Sequence, residues 1–139
     1  MIYLAAALFA FNACVSFLVG WRSFRRADFA SYQAKAAGKS LDQLSPGVRT
    51  VVSSMFKTIG GGFLAYGVAT LALCIELLRG SHLAPFGLLI SAAAFLGPVT
   101  FAMREVEAFR PDSGAPTRLV YTTATIAVVA FLVALLGLT

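Results

Sequence analysis

Charged side chains are scarce in this chain of 139 residues: Asp, Glu, Lys and Arg together make up 12% of the sequence, whereas apolar residues make up 59%. A soluble domain usually carries about 25% charged residues. The longest stretch between apolar segments, residues 22–57, is too short to add a separate soluble domain. The composition therefore predicts one membrane domain that covers residues 1–139.

Groups that carry chemistry are also few. His82 is the only histidine, which excludes a haem held by two histidines of this chain and a His-rich metal site. No carboxylate lies deep in an apolar segment, which argues against a proton-driven antiporter. The Gly60–Gly62 run lacks the Lys and Ser or Thr that complete a phosphate-binding loop. We therefore expect no metal, no cofactor and no catalytic machinery.

Four long apolar segments dominate what is present. They cover about residues 1–21, 58–78, 83–103 and 119–138, and each has the ~20 residues that a helix needs to cross a bilayer. They are continuous runs without the alternation of barrel strands. We predict an all-α integral membrane protein, a four-transmembrane-helix antiparallel bundle. Helices 1 and 2 should have cytoplasmic extensions, the first to about Ala37 and the second beginning at Pro46.

The basic residues predict the orientation, because short loops rich in Lys and Arg stay in the cytoplasm. Ten of the eleven Lys and Arg residues lie in the first and third connections, and only Arg79 lies in the second. This indicates a multi-pass protein of the bacterial inner membrane with both termini periplasmic. The basic residues behind the net charge of +5 should then contact anionic lipid head groups. We therefore expect no nucleic acid partner.

Small residues predict where the helices pack. Gly61, Ala65 and Ala69 recur every four residues in the second segment, and Gly87 and Ser91 do so in the third. Such spacing lets helix backbones approach closely in lipid. The same pattern also fits a homo-oligomer, a protein partner or room for a lipid tail. Asn12 is the one strongly polar side chain near the middle of a span, which fits either a hydrogen bond between helices or a functional group.

A candidate binding site combines Lys57, Arg104, Glu105 and Glu107. All four should lie at the inner membrane boundary, because the second helix enters the membrane there and the third leaves it. Basic groups at that level can bind an anionic head group or a small anion. The alternative is a salt-bridge collar that ends the bundle without binding anything.

The size, the four spans and the long basic first connection resemble the layout of the MAPEG family of membrane glutathione transferases. The resemblance implies a trimer that binds glutathione between subunits at the cytoplasmic side. The family has an arginine, an asparagine and a glutamate close together at the start of helix 2. Arg49 matches the arginine, but residues 50–57 contain no Asn or Glu.

The sequence favours a small inner-membrane protein that acts as an accessory or scaffolding subunit or as a lipid-binding module. Its expected partners are membrane lipids and a protein partner or second copy. An oligomeric MAPEG-like membrane enzyme and a subunit of a small transporter stay open as alternatives.

The orientation is testable by cysteine labelling. Lys39→Cys should react with an impermeant thiol reagent only after the cell membrane is broken, because residues 22–57 should be cytoplasmic. The unmodified chain is the control, since Cys14 and Cys74 lie inside predicted spans. Labelling of Lys39→Cys in intact cells would contradict the predicted topology.

Overall fold

A computed structural model describes residues 1–26 and 28–138, and these residues form helices and connections without strands. The α-helices are α1 (Ile2–Phe24), α2 (Ser31–Ala37), α3 (Pro46–Leu78), α4 (Ala84–Phe109) and α5 (Thr117–Leu138). Short 3-10 turns lie at Leu41–Gln43 and Pro111–Ser113. Four of the helices, α1, α3, α4 and α5, are long and apolar enough to cross a membrane, which confirms the predicted number of spans.

The start of the second long helix at Pro46 agrees with the sequence, but the extension of the first helix does not. We expected one helix to about Ala37, whereas α1 ends at Phe24 and a separate short helix, α2, begins at Ser31. The expected helix also passed through Ala27, which, like Thr139, lies outside the described residues.

Polar side chains explain the break between α1 and α2. Asp28 Oδ1 accepts hydrogen bonds from the backbone N–H groups of Phe29, at 2.7 Å, and Leu41, at 3.1 Å. Gln33 Oε1 accepts one from the N–H of Ala30 at 2.8 Å. Short polar side chains that bond to nearby backbone groups offer the chain an alternative to helical hydrogen bonds. These hydrogen bonds accompany the start of α2 as a separate helix at Ser31.

The four long helices pack in a cycle: α1 contacts α3 and α5, and α4 contacts the same two helices. α1 makes its most extensive contact with α3. Along this pair, the residue numbers of the contacting positions increase on α1 while they decrease on α3. The contacts join Ala6 to Cys74, Phe17 to Gly67 and Gly20 to Gly60. The pair α1 and α5 behaves in the same way, with contacts from Ile2 to Gly137 and from Asn12 to Thr123.

Small residues at seven-residue intervals bring α1 and α3 together. They are Ala6, Ala13 and Gly20 on α1 and Gly60, Gly67 and Cys74 on α3, and all are buried. A seven-residue repeat keeps one face of a helix against its partner over many turns. The backbones nearly touch at one end, because a methyl group added at Gly60 would lie 2.7 Å from the backbone N of Phe24. Only glycine fits at that contact.

The packing seam expected at Gly61, Ala65 and Ala69 is not formed within residues 1–26 and 28–138. Nothing lies within 4 Å of a methyl group built on Gly61, and Ala65 and Ala69 are exposed. One residue corresponds to about 100° around a helix, so the row that begins at Gly61 points away from the face that carries Gly60. A contact of that row with a second chain stays a prediction.

The half of the molecule that contains both chain ends is densely filled. Phe9, Leu77 and Leu88 are almost completely buried there. Alanines pack between these large side chains, namely Ala5, Ala6, Ala92, Ala127, Ala130 and Ala134. The other half, next to the basic connections, has a different interior.

The two neighbouring glycines of α3 allow a matched test of the α1–α3 contact. Gly60→Ala should lower the free energy of unfolding by ~1–3 kcal/mol, because the new methyl group overlaps the backbone of α1. Gly61→Ala should leave stability unchanged or raise it by up to ~1 kcal/mol through helix propensity. Thermal unfolding in one mild detergent measures both. Equal melting temperatures for the two variants would show that α1 and α3 do not meet at Gly60.

Candidate functional site

A cavity of about 350 Å³ lies between the helices in the half that adjoins the basic connections. Ligand sites commonly measure about 300–1,000 Å³. All four long helices line this cavity, and α2 contributes at one end. Its walls are mostly apolar and include Val15, Val19, Ile59, Phe63, Leu96 and Val99. A chain-like apolar molecule matches these walls.

Three polar residues form one end of the cavity, which we call the acceptor floor: Asn12, Ser16 and Thr123. Asn12 has 2% of its surface exposed, and its Nδ2 donates to the backbone carbonyl of Thr123 at 3.1 Å. That bond joins α1 to α5. Because a carbonyl can only accept, it also establishes which end of the Asn12 amide is the nitrogen.

The floor presents hydrogen-bond acceptors and no free donor from its hydroxyl groups. Ser16 Oγ donates to the carbonyl of Asn12 at 2.9 Å, and Thr123 Oγ1 donates to the carbonyls of Leu119 and Val120. Each hydroxyl keeps lone pairs that can accept. Asn12 Oδ1 is buried and has no hydrogen-bond partner in the described part of the chain. A buried acceptor without a partner costs ~1–3 kcal/mol, so this oxygen is a place where a donor would be stabilising.

The opposite end of the cavity, which we call the mouth, carries Ser23, Arg26, Tyr32 and Gln33. Arg26 Nη1 donates to Gln33 Oε1 at 3.4 Å. Burial raises the pKa of the Tyr32 phenol, and the nearby charge of Arg26 offsets part of that rise. Tyr32 is therefore a neutral O–H donor at physiological pH. Eleven residues of α1 separate the floor at Asn12 from the mouth at Ser23, which is about 16 Å of helix.

Contacts with other elements hold α2 at the mouth. α2 packs on the 3-10 turn at Pro111–Ser113, and Arg110 Nη1 donates to the backbone carbonyl of Lys35. Phe29, just before α2, places its ring edge against Phe56 of α3 with 6.0 Å between ring centroids. The break after α1 thus brings polar side chains over the end of the cavity, which a continuous helix would not do.

The four residues of the predicted anion site lie elsewhere. Lys57, Arg104, Glu105 and Glu107 are all exposed, and none of them is in an ion pair within residues 1–26 and 28–138. The salt bridge in these residues joins Arg79 to Glu76 at 2.7 Å. The salt-bridge collar and the binding of an anionic head group by these four residues therefore both stay predictions.

Arg104 borders a second pocket. It lies at a shallow groove of about 380 Å³ between α4 and α5, together with small residues such as Ala93, Gly97 and Ala124. Of the residues expected to pack helices in the third segment, Gly87 and Ser91 are half-buried. A methyl group at Gly87 would lie 3.2 Å from Leu73 Cδ2 of α3.

Sequence reasoning found Asn12 but missed the rest of the site. Ser16 follows Asn12 by one helical turn, and this spacing placed two polar groups on one face of an apolar span. That signal was available. Arg26, Tyr32 and Gln33 carried none, because their approach to the cavity depends on the break between α1 and α2.

In the described ranges, no three His, Cys, Asp or Glu side chains lie close enough together to hold a metal ion. Comparisons of this chain with models of known protein families, with curated proteins and with solved structures find no match. The candidate function therefore rests on the cavity and its lining.

Proposed function

We propose that this chain is a bacterial inner-membrane protein that binds a lipid-like amphiphile inside a four-span antiparallel bundle. The observation that carries the proposal is the interior cavity, which is apolar along its walls and has polar groups at both ends. A molecule with an apolar chain and a polar head matches that distribution of polarity. The proposal develops the lipid-binding module that the sequence favours.

The orientation of the ligand follows from the charges. The mouth contains Arg26 and lies at the end of the helices where the basic connections begin. If both termini are periplasmic, this end faces the cytoplasm, and α3 extends beyond the bilayer there because its 33 residues measure about 50 Å. An anionic head group would then lie at the inner membrane surface, where Arg26 can bond to it and Tyr32 and Gln33 can hydrogen-bond to it.

The chain of the ligand would lie along α1, toward the acceptor floor. Apolar side chains from all four long helices line this path. Two aromatic residues of α3 in the cavity wall pack on Phe95 of α4: Tyr66 stacks on it with 4.7 Å between ring centroids, and Phe63 meets it edge to face at the same separation. A preformed apolar cavity binds a chain without first having to order its own walls.

Filling the cavity should remove the ligand. Val99 is half-buried and lines the cavity, whereas Val68 is 60% exposed on α3 and does not line it. Native mass spectrometry of protein purified in mild detergent should show a retained lipid in the wild type and in Val68→Trp. Val99→Trp should lose most of it, because the indole takes the space of the chain. Equal retention by both variants, or no retained lipid in the wild type, would contradict binding inside the bundle.

The charge at the mouth can be tested with dodecanoate as an anionic probe. Arg26→Gln should weaken dodecanoate binding by about tenfold to a hundredfold, since hydrogen bonds to charged groups contribute ~1.5–3 kcal/mol. Arg25→Gln is the control, because it removes the same charge at the neighbouring position. The Arg25 side chain lies over the Trp21 ring. Titration calorimetry in one detergent gives both affinities. Equal weakening by the two variants would mean that only the surface charge matters and that Arg26 does not bind the head group.

A further inference from the structure

The buried oxygen at the acceptor floor restricts what kind of chain can fill the cavity. Asn12 lines the cavity with 2% of its surface exposed, and its Oδ1 is buried and has no hydrogen-bond partner in the described residues. The Nδ2 atom of the same amide is already bonded to the carbonyl of Thr123, so the amide cannot turn to hide the oxygen without breaking that bond. The amide therefore keeps its orientation, with Oδ1 left to accept a further hydrogen bond.

The two hydroxyl groups of the acceptor floor already donate elsewhere. Ser16 and Thr123 each donate their proton to a backbone carbonyl of their own helix. In a hydrocarbon environment a donor or acceptor without a partner is costly, and polar side chains inside spans are usually satisfied. A plain hydrocarbon end placed against this floor would leave Asn12 Oδ1 without a partner.

We propose that the acceptor floor is a specificity site for a hydrogen-bond donor at the far end of the ligand's chain, a hydroxyl group that donates to Asn12 Oδ1. This inference rests on the proposed function, because it concerns the ligand of the same cavity. The ligand class is then an amphiphile with an anion at the mouth and a hydroxyl group about 16 Å away at the floor, as in a long-chain ω-hydroxy acid. Carbonyl-ended or plain chains satisfy the floor less well because they offer no donor.

A pair of probes that differ in one hydroxyl group tests the inference. The probes are 12-hydroxydodecanoate and dodecanoate, titrated into wild-type protein and into Asn12→Leu in the same detergent. The quantity to compare is the ratio of the two probe affinities in each protein. Each probe partitions into micelles to the same extent with both proteins, so this effect cancels when the two ratios are compared. One hydrogen bond to a neutral acceptor corresponds to roughly fivefold. We expect the ratio to favour the hydroxy acid about fivefold more in the wild type than in Asn12→Leu.

A second measurement needs no variant, in case Asn12→Leu does not fold after losing the bond to Thr123. The isomer 11-methoxyundecanoate has the same atoms and length as the hydroxy acid but no donor. After correction for the partition of each probe into protein-free micelles, the wild type should bind the hydroxy acid roughly fivefold more tightly than the ether.

The outcomes separate this inference from the proposed function. Equal affinity for hydroxy acid and ether, or a preference that Asn12→Leu does not change, would overturn the donor site; water would then satisfy Asn12 Oδ1. Dodecanoate binding that Val99→Trp abolishes would in that case still support an amphiphile in the cavity. If none of the probes binds in a way that Val99→Trp changes, both the donor site and the amphiphile-binding function are wrong.

Discussion

The close contact between α1 and α3 is the interaction on which the rest of the structure depends. Lipid offers no hydrophobic driving force between helices, so association relies on backbones that approach closely enough for many van der Waals contacts. Gly20 meets Gly60 at one end of this contact and Ala6 meets Cys74 at the other, where the thiol donates to the Ala6 carbonyl. Because the contact runs the whole length of α1, it sets the rotation of that helix. Asn12 and Ser16 consequently face the interior and α5.

The cavity follows from which side chains occupy the buried positions of α1. Phe9 fills the interior in the half with the chain ends, together with Leu77 and Leu88. Beyond it, the buried positions of α1 are all small or medium-sized, namely Asn12, Ala13, Ser16 and Gly20. None of these four buried side chains is large, and space remains next to Phe63 and Leu96. The same small residues that allow α1 to approach α3 therefore also leave the interior open.

The two ends of the cavity differ in chemistry, and this difference gives the site a direction. The floor offers buried acceptors, and the mouth offers a cation and donors next to the basic connections. A bound amphiphile would bury its chain between these ends and meet complementary groups at both. A uniform apolar cavity would accept many chains, whereas polar groups at the ends select by the chemistry of the head and tail. The short helix α2 would contribute to such a selection because it carries Tyr32 and Gln33.

Local sequence properties alone determined the number of spans and the start and end of α3. The spans follow from apolar length, and the start of α3 follows from proline at its first turn. Asn12 could be singled out because an amide is rare in hydrocarbon. The sequence did not determine the packing face of α3. Both Gly60 and Gly61 begin a row of small residues, and only the position of α1 decides which row is buried. The break after Phe24 depends on Asp28 bonding to Leu41, a partner thirteen residues along the chain. Such contacts exist only once the helices have assembled, and the tertiary structure therefore decided where the cavity lies and which side chains close it.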